Sequence, residues 1–268
     1  MPKEKISPVT AIRYLQFENL QCAGLLHGVT LRSGGVSAPP YDSLNMGLHV
    51  GDSEQDVRTN RQLAAEALTY QTSTVVVGEQ VHGTAIARVT PEMAGCGHYQ
   101  MTDAVAATDG LICTEPEIVL MAHAADCTLL FFYDPVVRCI GLAHAGWRGA
   151  MAGMGPLMVE ALSKLGSRPE NLRVALAPTI GPCCYQVGEN VAEQVPQIWR
   201  AEVLQPAAGA YYFDLPEFQR LQLRAAGIKE ENLVKSSYCT ACHTDLFYSY
   251  RAAGGQTGRM AGVISMKW

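Results

Sequence analysis

Between residues 74 and 143 the chain is a succession of short runs rich in β-branched and aromatic residues, at 74–77, 84–89, 110–114, 118–123, 128–133 and 137–143. Several are apolar at consecutive positions. A strand with one wet face alternates apolar and polar residues, whereas a strand apolar throughout has both faces covered. The middle of this chain therefore demands a sheet packed on both sides. Around it, residues 23–32 read as a strand ending in Ser33-Gly34-Gly35, and a polar, turn-rich loop follows at 38–45. A helix is expected over 54–68, opened by Ser53 with Asp56 in the manner of a capping box. Helical patterns at 150–165, 189–199 and 216–226 interleave with short strands at 172–176, 211–213, 233–236 and 260–265. No repeat and no Pro-, Gly- or Ser-rich linker divides the sequence. The expected fold is α+β, a single mixed-sheet domain spanning 1–268, with layered β-sheets flanked by helices.

With 268 residues, 48% of them apolar, the chain has ample material for a buried core. Its net charge of −5 comes from interspersed acids and bases, so there is no basic face to neutralise phosphates, and no nucleic-acid partner is expected. The N-terminal residues mix Lys3, Glu4, Lys5, Arg13 and Glu18 among apolar positions, unlike a secretory signal, which points to the cytoplasm. The most apolar stretch, 118–145, is broken by Asp126, Asp134 and Arg138. It falls short of the ~18 uninterrupted residues that spanning needs, and no membrane partner is expected. The nine cysteines, an odd number scattered through a chain too large to need staples, read as core fillers, metal ligands or nucleophiles rather than a disulfide framework.

Three segments place a metal-ligand type at a strand end: Glu79-Gln80-Val81-His82-Gly83, Ala124-Ala125-Asp126-Cys127 and His144-Ala145-Gly146-Trp147-Arg148-Gly149. Consecutive strands are usually neighbours, so Cys127 at the start of one and His144 at the end of the next can meet on one sheet edge. Taken singly, the cysteine reads more readily as a core residue and His82 as a turn residue. Their spacing matches no finger or Cys-x-x-Cys pattern.

These segments, together with Arg32-Ser33-Gly34-Gly35-Val36-Ser37, Pro40-Tyr41-Asp42-Ser43-Leu44-Asn45, His49-Val50-Gly51-Asp52, Gly181-Pro182-Cys183-Cys184-Tyr185 and Phe247-Tyr248-Ser249-Tyr250-Arg251 through Thr257-Gly258-Arg259, closely resemble the laccase-domain family, also called the polyphenol oxidase or peptidoglycan-editing-factor family. The match is ordered and runs over nearly the whole chain. The resemblance implies a zinc ion held by His82, Cys127 and His144, with the fourth position open as in catalytic zinc sites. It also implies purine nucleosides and phosphate as ligands: phosphorolysis of adenosine, inosine and methylthioadenosine, and deamination of adenosine. The signature of other zinc deaminases, with its Pro-Cys-x-x-Cys element, is absent.

Phosphorolysis needs an anion site. Candidates are Arg32, beside Gly34 and Gly35, and Arg148, at a helix start, with Arg32 ranked first; the alternative for Arg148 is a surface ion pair. For proton transfer the candidates are Asp109 and Asp126, the latter alternatively orienting a ligand histidine. Asn45 and His49 are candidate sugar or base contacts, although a loop Asn also caps turns. His123 reads as a satisfied core histidine. Cys239 and Cys242 have Cys-x-x-Cys spacing without a second such pair, so they are expected to be redox-inert core residues, and Cys183-Cys184 to be loop packing.

Three rivals accompany the zinc reading. A copper polyphenol oxidase shares the two-His, one-Cys ligand set, but seven histidines with no His-x-His pair cannot build a multicopper cluster in one chain, which leaves copper as an alternative occupant of the single site. A metal-free hydrolase would use Cys127 as nucleophile, in keeping with the peptidoglycan-editing name. A non-enzymatic nucleoside binder would use the same pocket without chemistry.

Overall fold

A computed structural model of the chain describes residues 3–8 and 11–267. The N-terminal third forms strands β1 (Glu4–Ile6), β2 (Tyr14–Phe17) and β3 (Leu25–Thr30), then helix α1 (Glu54–Leu68). The middle is nearly all strand: β4 (Val75–Val77), β5 (Ile86–Arg88), β6 (Gly110–Cys113), β7 (Val119–Ala124), β8 (Thr128–Asp134) and β9 (Cys139–Ala145). Helices α2 (Trp147–Met151) and α3 (Met154–Ser163) follow, then β10 (Arg173–Leu176), β11 (Gln186–Val187), α4 (Glu189–Ala192) and α5 (Gln197–Val203). The chain ends with β12 (Leu204–Ala207), β13 (Ala210–Phe213), α6 (Leu215–Ala225), β14 (Leu233–Lys235) and β15 (Met260–Met266).

Two six-stranded mixed sheets, ordered β1-β2-β3-β15-β7-β4 and β14-β10-β8-β9-β6-β5, share one core between them. The side each residue takes explains the uninterrupted apolar runs. In β8, Leu129, Phe131 and Tyr133 enter the intersheet core, while Leu130 and Phe132 pack with Met154, Met158 and Leu162 of α3 and Leu223 of α6. In β7, Leu120 and Ala122 face the second sheet, while Val119 and Met121 meet Ala64, Ala65 and Leu68 of α1. Each large side chain so buried is worth ~1.5–3 kcal/mol, and no position on these strands is left to water. The result is four layers, helix on sheet on sheet on helices, the layered α+β arrangement that the sequence predicts. The sheets approach closely at Gly262 of β15, where a Cβ would lie 2.8 Å from Phe131 Cζ.

The helices depart from expectation where a single residue interrupts them. The Ser53 hydroxyl accepts the Asp56 N–H at 3.3 Å, and α1 has the expected bounds. The pattern at 150–165 becomes two helices, because Gly153 adopts φ +82° and turns the chain between α2 and α3. The pattern at 189–199 divides at Pro196, which has no N–H with which to continue α4. Strand β12, missing from the sequence reading, pairs with β13 in a small third sheet; its Pro206 masks the strand pattern and is tolerated because β12 is an edge. Among the described residues no helix is long and apolar enough to cross a membrane.

Two connections pass from the first sheet to the second. One joins β4 to β5 and carries residues 78–85; the other joins β7 to β8 through Ala125, Asp126 and Cys127.

Candidate active site

The first of these crossovers carries His82 and the second Cys127. Strand β9 adds His144 through its antiparallel register with β8, in which His144 stands opposite Leu129 and Ala145 opposite Thr128. The three side chains meet at the seam between the sheets. Cys127 Sγ is 3.9 Å from His82 Nε2, the two imidazole rings are 4.8 Å apart and nearly perpendicular, and one ligand atom from each residue lies within 4.8 Å of the others. Tetrahedral zinc, with nitrogen at about 2.0 Å and sulfur at about 2.3 Å, holds such ligands about 3.5 Å apart. The trio is therefore within a small contraction of a zinc site, and three ligands leave one position open.

Asp109 organises this trio from behind. Its Oδ1 lies 2.8 Å from His144 Nδ1 and accepts the His82 N–H at 3.1 Å, while Oδ2 accepts the N–H groups of Val81 at 3.1 Å and Gly83 at 2.7 Å. With Nδ1 engaged, Nε2 is the ring nitrogen that His144 can offer to a metal, the carboxylate–histidine–metal pattern. His82 and Asp126 both have positive φ, 60° and 88°, a conformation that costs a non-glycine residue about 1–2 kcal/mol. Asp109 holds the first in place through three consecutive N–H groups. Asp126 is held by the Thr240 hydroxyl at 2.6 Å and the Arg251 N–H at 2.7 Å, both donating to its carboxylate.

Charge within the site is polarised. Burial pushes the Cys127 thiol up, but the His144 and His82 imidazoles outweigh it and bring it down to about 6. Burial disfavours protonated His144, yet the Cys127 sulfur and the Asp109 carboxylate raise it to about 9. Burial also works against ionised Asp109, and His144 with the Gly83 and Val81 N–H groups still holds it below the usual carboxylate range. A thiolate is thus favoured at Cys127 near neutral pH, the form that binds a metal or acts as a nucleophile.

A cavity of about 520 Å³ opens onto the trio. His49, His123 and Gln80 line one side. Trp147 and Arg148, then Tyr185, and then Tyr250, Arg251 and Arg259 line the others. Arg148 is exposed, stacks on Trp147 at 4.5 Å, and among the described residues forms no ion pair, so the surface-pair alternative does not hold. Arg251 stacks on Tyr185 at 5.3 Å and donates to Cys184 O and Gln186 O; Arg259 lies over Tyr250 at 5.6 Å and donates to Thr257 O and Gly258 O. Burial, followed by the charge of Arg259, lowers His49 to about 4 and keeps it neutral. His123 is buried with Nε2 3.1 Å from Arg61 Nη2, as expected of a satisfied core histidine, but it also contributes to the cavity wall.

Of the residues singled out in the sequence, His82, Cys127, His144, Asp126, His49 and Arg148 line this cavity, and Asp109 stands directly behind it. Arg32 and Asn45 do not line it. Arg32 donates to Asp42 and to Thr244 O and stacks on Tyr248, so its guanidinium is committed to loop–loop contacts. Asn45 is fully buried, and its Oδ1 accepts the Arg259 N–H at 2.9 Å, so it acts on the cavity through Arg259. Tyr185, Tyr250, Arg251 and Arg259 went unassigned. They belong to quoted motifs, but nothing in their spacing ties them to His82. One expectation is corrected: Cys239 and Cys242 are not core fillers, nor Cys183 and Cys184 mere loop packing, for the four sulfurs gather within 4.8 Å, with Cys183 and Cys242 exposed.

Two stacked sheets with a three-ligand centre at their seam define a layered α+β protein with a candidate open metal site. The family model described as multi-copper polyphenol oxidoreductase laccase matches residues 26–267, and the chain belongs to that family. A protein of Geobacillus stearothermophilus named purine nucleoside phosphorylase YlmD is 40% identical over 254 residues, covering 91% of each chain. A Bacillus subtilis protein of the same name is 38% identical over 247 residues, covering 91% of this chain and 89% of that one. The crystal structure of the Bacillus licheniformis hypothetical protein YfiH matches with a TM-score of 0.92 at 37% identity, over 95% of this chain and 96% of that one. The G. stearothermophilus YlmD structure matches with a TM-score of 0.90 at 38% identity, with the same coverage.

Proposed function

We propose that this chain is a zinc-dependent purine nucleoside enzyme of the cytoplasm, one catalytic domain over 1–268, that phosphorolyses adenosine, inosine and methylthioadenosine and deaminates adenosine. The observation that carries the reading is a single 520 Å³ cavity that holds both an open His–Cys–His set and a guanidinium without an acidic partner, Arg148. The relatives named purine nucleoside phosphorylase, alike over nine-tenths of the chain, support it.

His82, Cys127 and His144 would hold the zinc, which supplies Lewis acidity at its open fourth position. Arg148, with Arg251 and Arg259 nearby, attracts the phosphate that displaces the purine at C1′ of the ribose. The exposed ring of Tyr250 offers the base an aromatic surface on the cavity wall. Neutral His49 gives the sugar or base one hydrogen-bond donor and one acceptor. Asp126, on the cavity wall, is the carboxylate for proton transfer; Asp109, Asn45 and Arg32 act as positioning residues. Neither a nucleic acid nor a membrane takes part. The test is incubation with inosine and phosphate, chromatography for hypoxanthine and ribose 1-phosphate, and a parallel assay of adenosine for inosine. Product well above a Cys127→Ala control is expected; none above it would leave a non-enzymatic nucleoside binder.

A second reading rests on the line from Cys127 to His144 to Asp109, which has the nucleophile–base–orienter order of a thiol hydrolase. In that reading the substrate is a peptidoglycan precursor carrying a mis-incorporated amino acid. Stripping the protein with a strong chelator separates the two, because a thiol hydrolase keeps its activity and the zinc enzyme loses it. A copper polyphenol oxidase is disfavoured by ligand supply: among the described residues no second histidine-bearing ligand group exists, so copper can at most replace zinc in the single site.

A further inference from the structure

We propose that Cys183, Cys184, Cys239 and Cys242 form a second metal site, a closed four-cysteine zinc centre that pins the outer wall of the cavity. It shares no ligand with the His–Cys–His trio and does not depend on whether that trio binds metal.

The four sulfurs lie within 4.8 Å of one another, and Cys242 Sγ is 3.4 Å from both Cys183 Sγ and Cys184 Sγ. Four thiolates around zinc at about 2.3 Å stand about 3.8 Å apart. The observed cluster brackets that spacing. A disulfide, at about 2.05 Å, would require one sulfur of a pair to close by more than an ångström and would choose one of two equidistant partners for Cys242.

The backbone is shaped to present these thiols. Two tight turns face each other: the N–H groups of Cys184 and Tyr185 both donate to Gly181 O at 3.0 and 2.9 Å, and those of Cys242 and His243 both donate to Cys239 O at 3.2 and 3.1 Å. The second is a Cys-x-x-Cys knuckle. The turns are locked together where Thr179 pairs with Cys239 and the Thr240 N–H donates to Thr179 O at 3.1 Å. The Gly181 N–H donates to Cys239 Sγ at 3.2 Å, the kind of contact that stabilises a thiolate. A Cβ on Gly181 would lie 3.3 Å from Cys239 Cβ and 3.5 Å from Cys183 Sγ, so the close approach of the turns relies on glycine there. Two of the thiols are exposed, which gives a metal ion a route in. Four sulfur ligands with no vacancy are a structural set.

The position gives the site a task. The first turn runs directly into Tyr185, and the second leads through 243–249 to Tyr250 and Arg251, all on the cavity wall. Arg251 already reaches back to Cys184 O and Gln186 O, and Thr240 to Asp126. A metal joining the turns would fix those side chains relative to the catalytic seam.

The test uses the full chain purified under reducing conditions. Elemental analysis is expected to find one zinc equivalent fewer in Cys183→Ser/Cys242→Ser than in the wild type, and one equivalent retained in Cys127→Ala. Because the double variant can fail for want of folding, the deciding measurement is cobalt titration of Cys127→Ala, which has no other thiolate in a ligand group. One equivalent, with an intense near-ultraviolet thiolate-to-cobalt band, supports the four-cysteine site. No such band, or an intact mass lower by two hydrogens per bridge in the protein as isolated, overturns it in favour of free thiols or disulfides.

Discussion

Asp109 spends both carboxylate oxygens on neighbours, one on His144 and the His82 N–H and the other on Val81 and Gly83. Replacing it with Asn would turn one acceptor into a donor facing N–H groups and would leave the His144 tautomer unguarded. We expect Asp109→Asn to weaken metal binding about 10–100-fold in a chelator competition, with activity partly recovered at high zinc. Arg148 is the opposite kind of residue, exposed and bound to no carboxylate. Arg148→Ala should raise the phosphate KM by about 10–100-fold, the loss of one charged hydrogen bond of about 1.5–3 kcal/mol, with an unchanged melting temperature. Arg32→Ala should do the reverse, lowering stability by about 1–3 kcal/mol in urea with little change in phosphate KM, because its guanidinium holds Asp42 and Thr244. A single assay pair, melting and phosphate dependence, thus sorts the two arginines that the sequence ranked the other way round.

At the scale of elements, the two sheets approach closely where β15 has a glycine. Gly262→Ala would set a methyl 2.8 Å from Phe131 Cζ and 2.9 Å from Leu129 Cδ1. An expected destabilisation of about 1–3 kcal/mol should appear as a lower urea midpoint with the m-value retained. The layered architecture was legible because β7 and β8 are apolar on every position, a pattern that only double coverage explains. For the His–Cys–His trio, the facing ends of adjacent strands suggested only that Cys127 and His144 could meet; the full set with His82 came from the family resemblance. The rest was hidden for physical reasons. Gly153 and Pro196 break helices inside continuous apolar periods, and Pro206 conceals an edge strand. Arg32 and Arg148 look equivalent as sequence, since only the fold decides which guanidinium meets Asp42 and which meets open space. The four cysteines come from two distant turns, and no spacing rule joins 183 and 184 to 239 and 242.

Across the whole molecule, buried histidines give stability a definite pH dependence. Burial lowers His27, in the centre of the first sheet, to about 4, and His98 and His123 are displaced in the same direction. Below the unfolded value of about 6.5 the unfolded chain takes up protons that the folded chain refuses, so folding weakens as the pH falls from about 6.5 towards about 4. For His27 alone the full effect is about 3 kcal/mol. Urea midpoints should therefore drop steadily over that window. His27→Gln, which can still accept the Phe17 N–H through its amide oxygen, should flatten the slope by up to about 1.4 kcal/mol per pH unit, one proton's worth. The strand at the middle of that same sheet, β15, comes from residues 260–266 and joins β3 and β7, which lie far earlier in the chain. Without β15 the first sheet is split between β3 and β7, and the crossovers bearing His82 and Cys127 both start from the β7–β4 part of that sheet. The seam that brings His82 and Cys127 together thus rests on contacts of long sequence separation, the kind that form slowly.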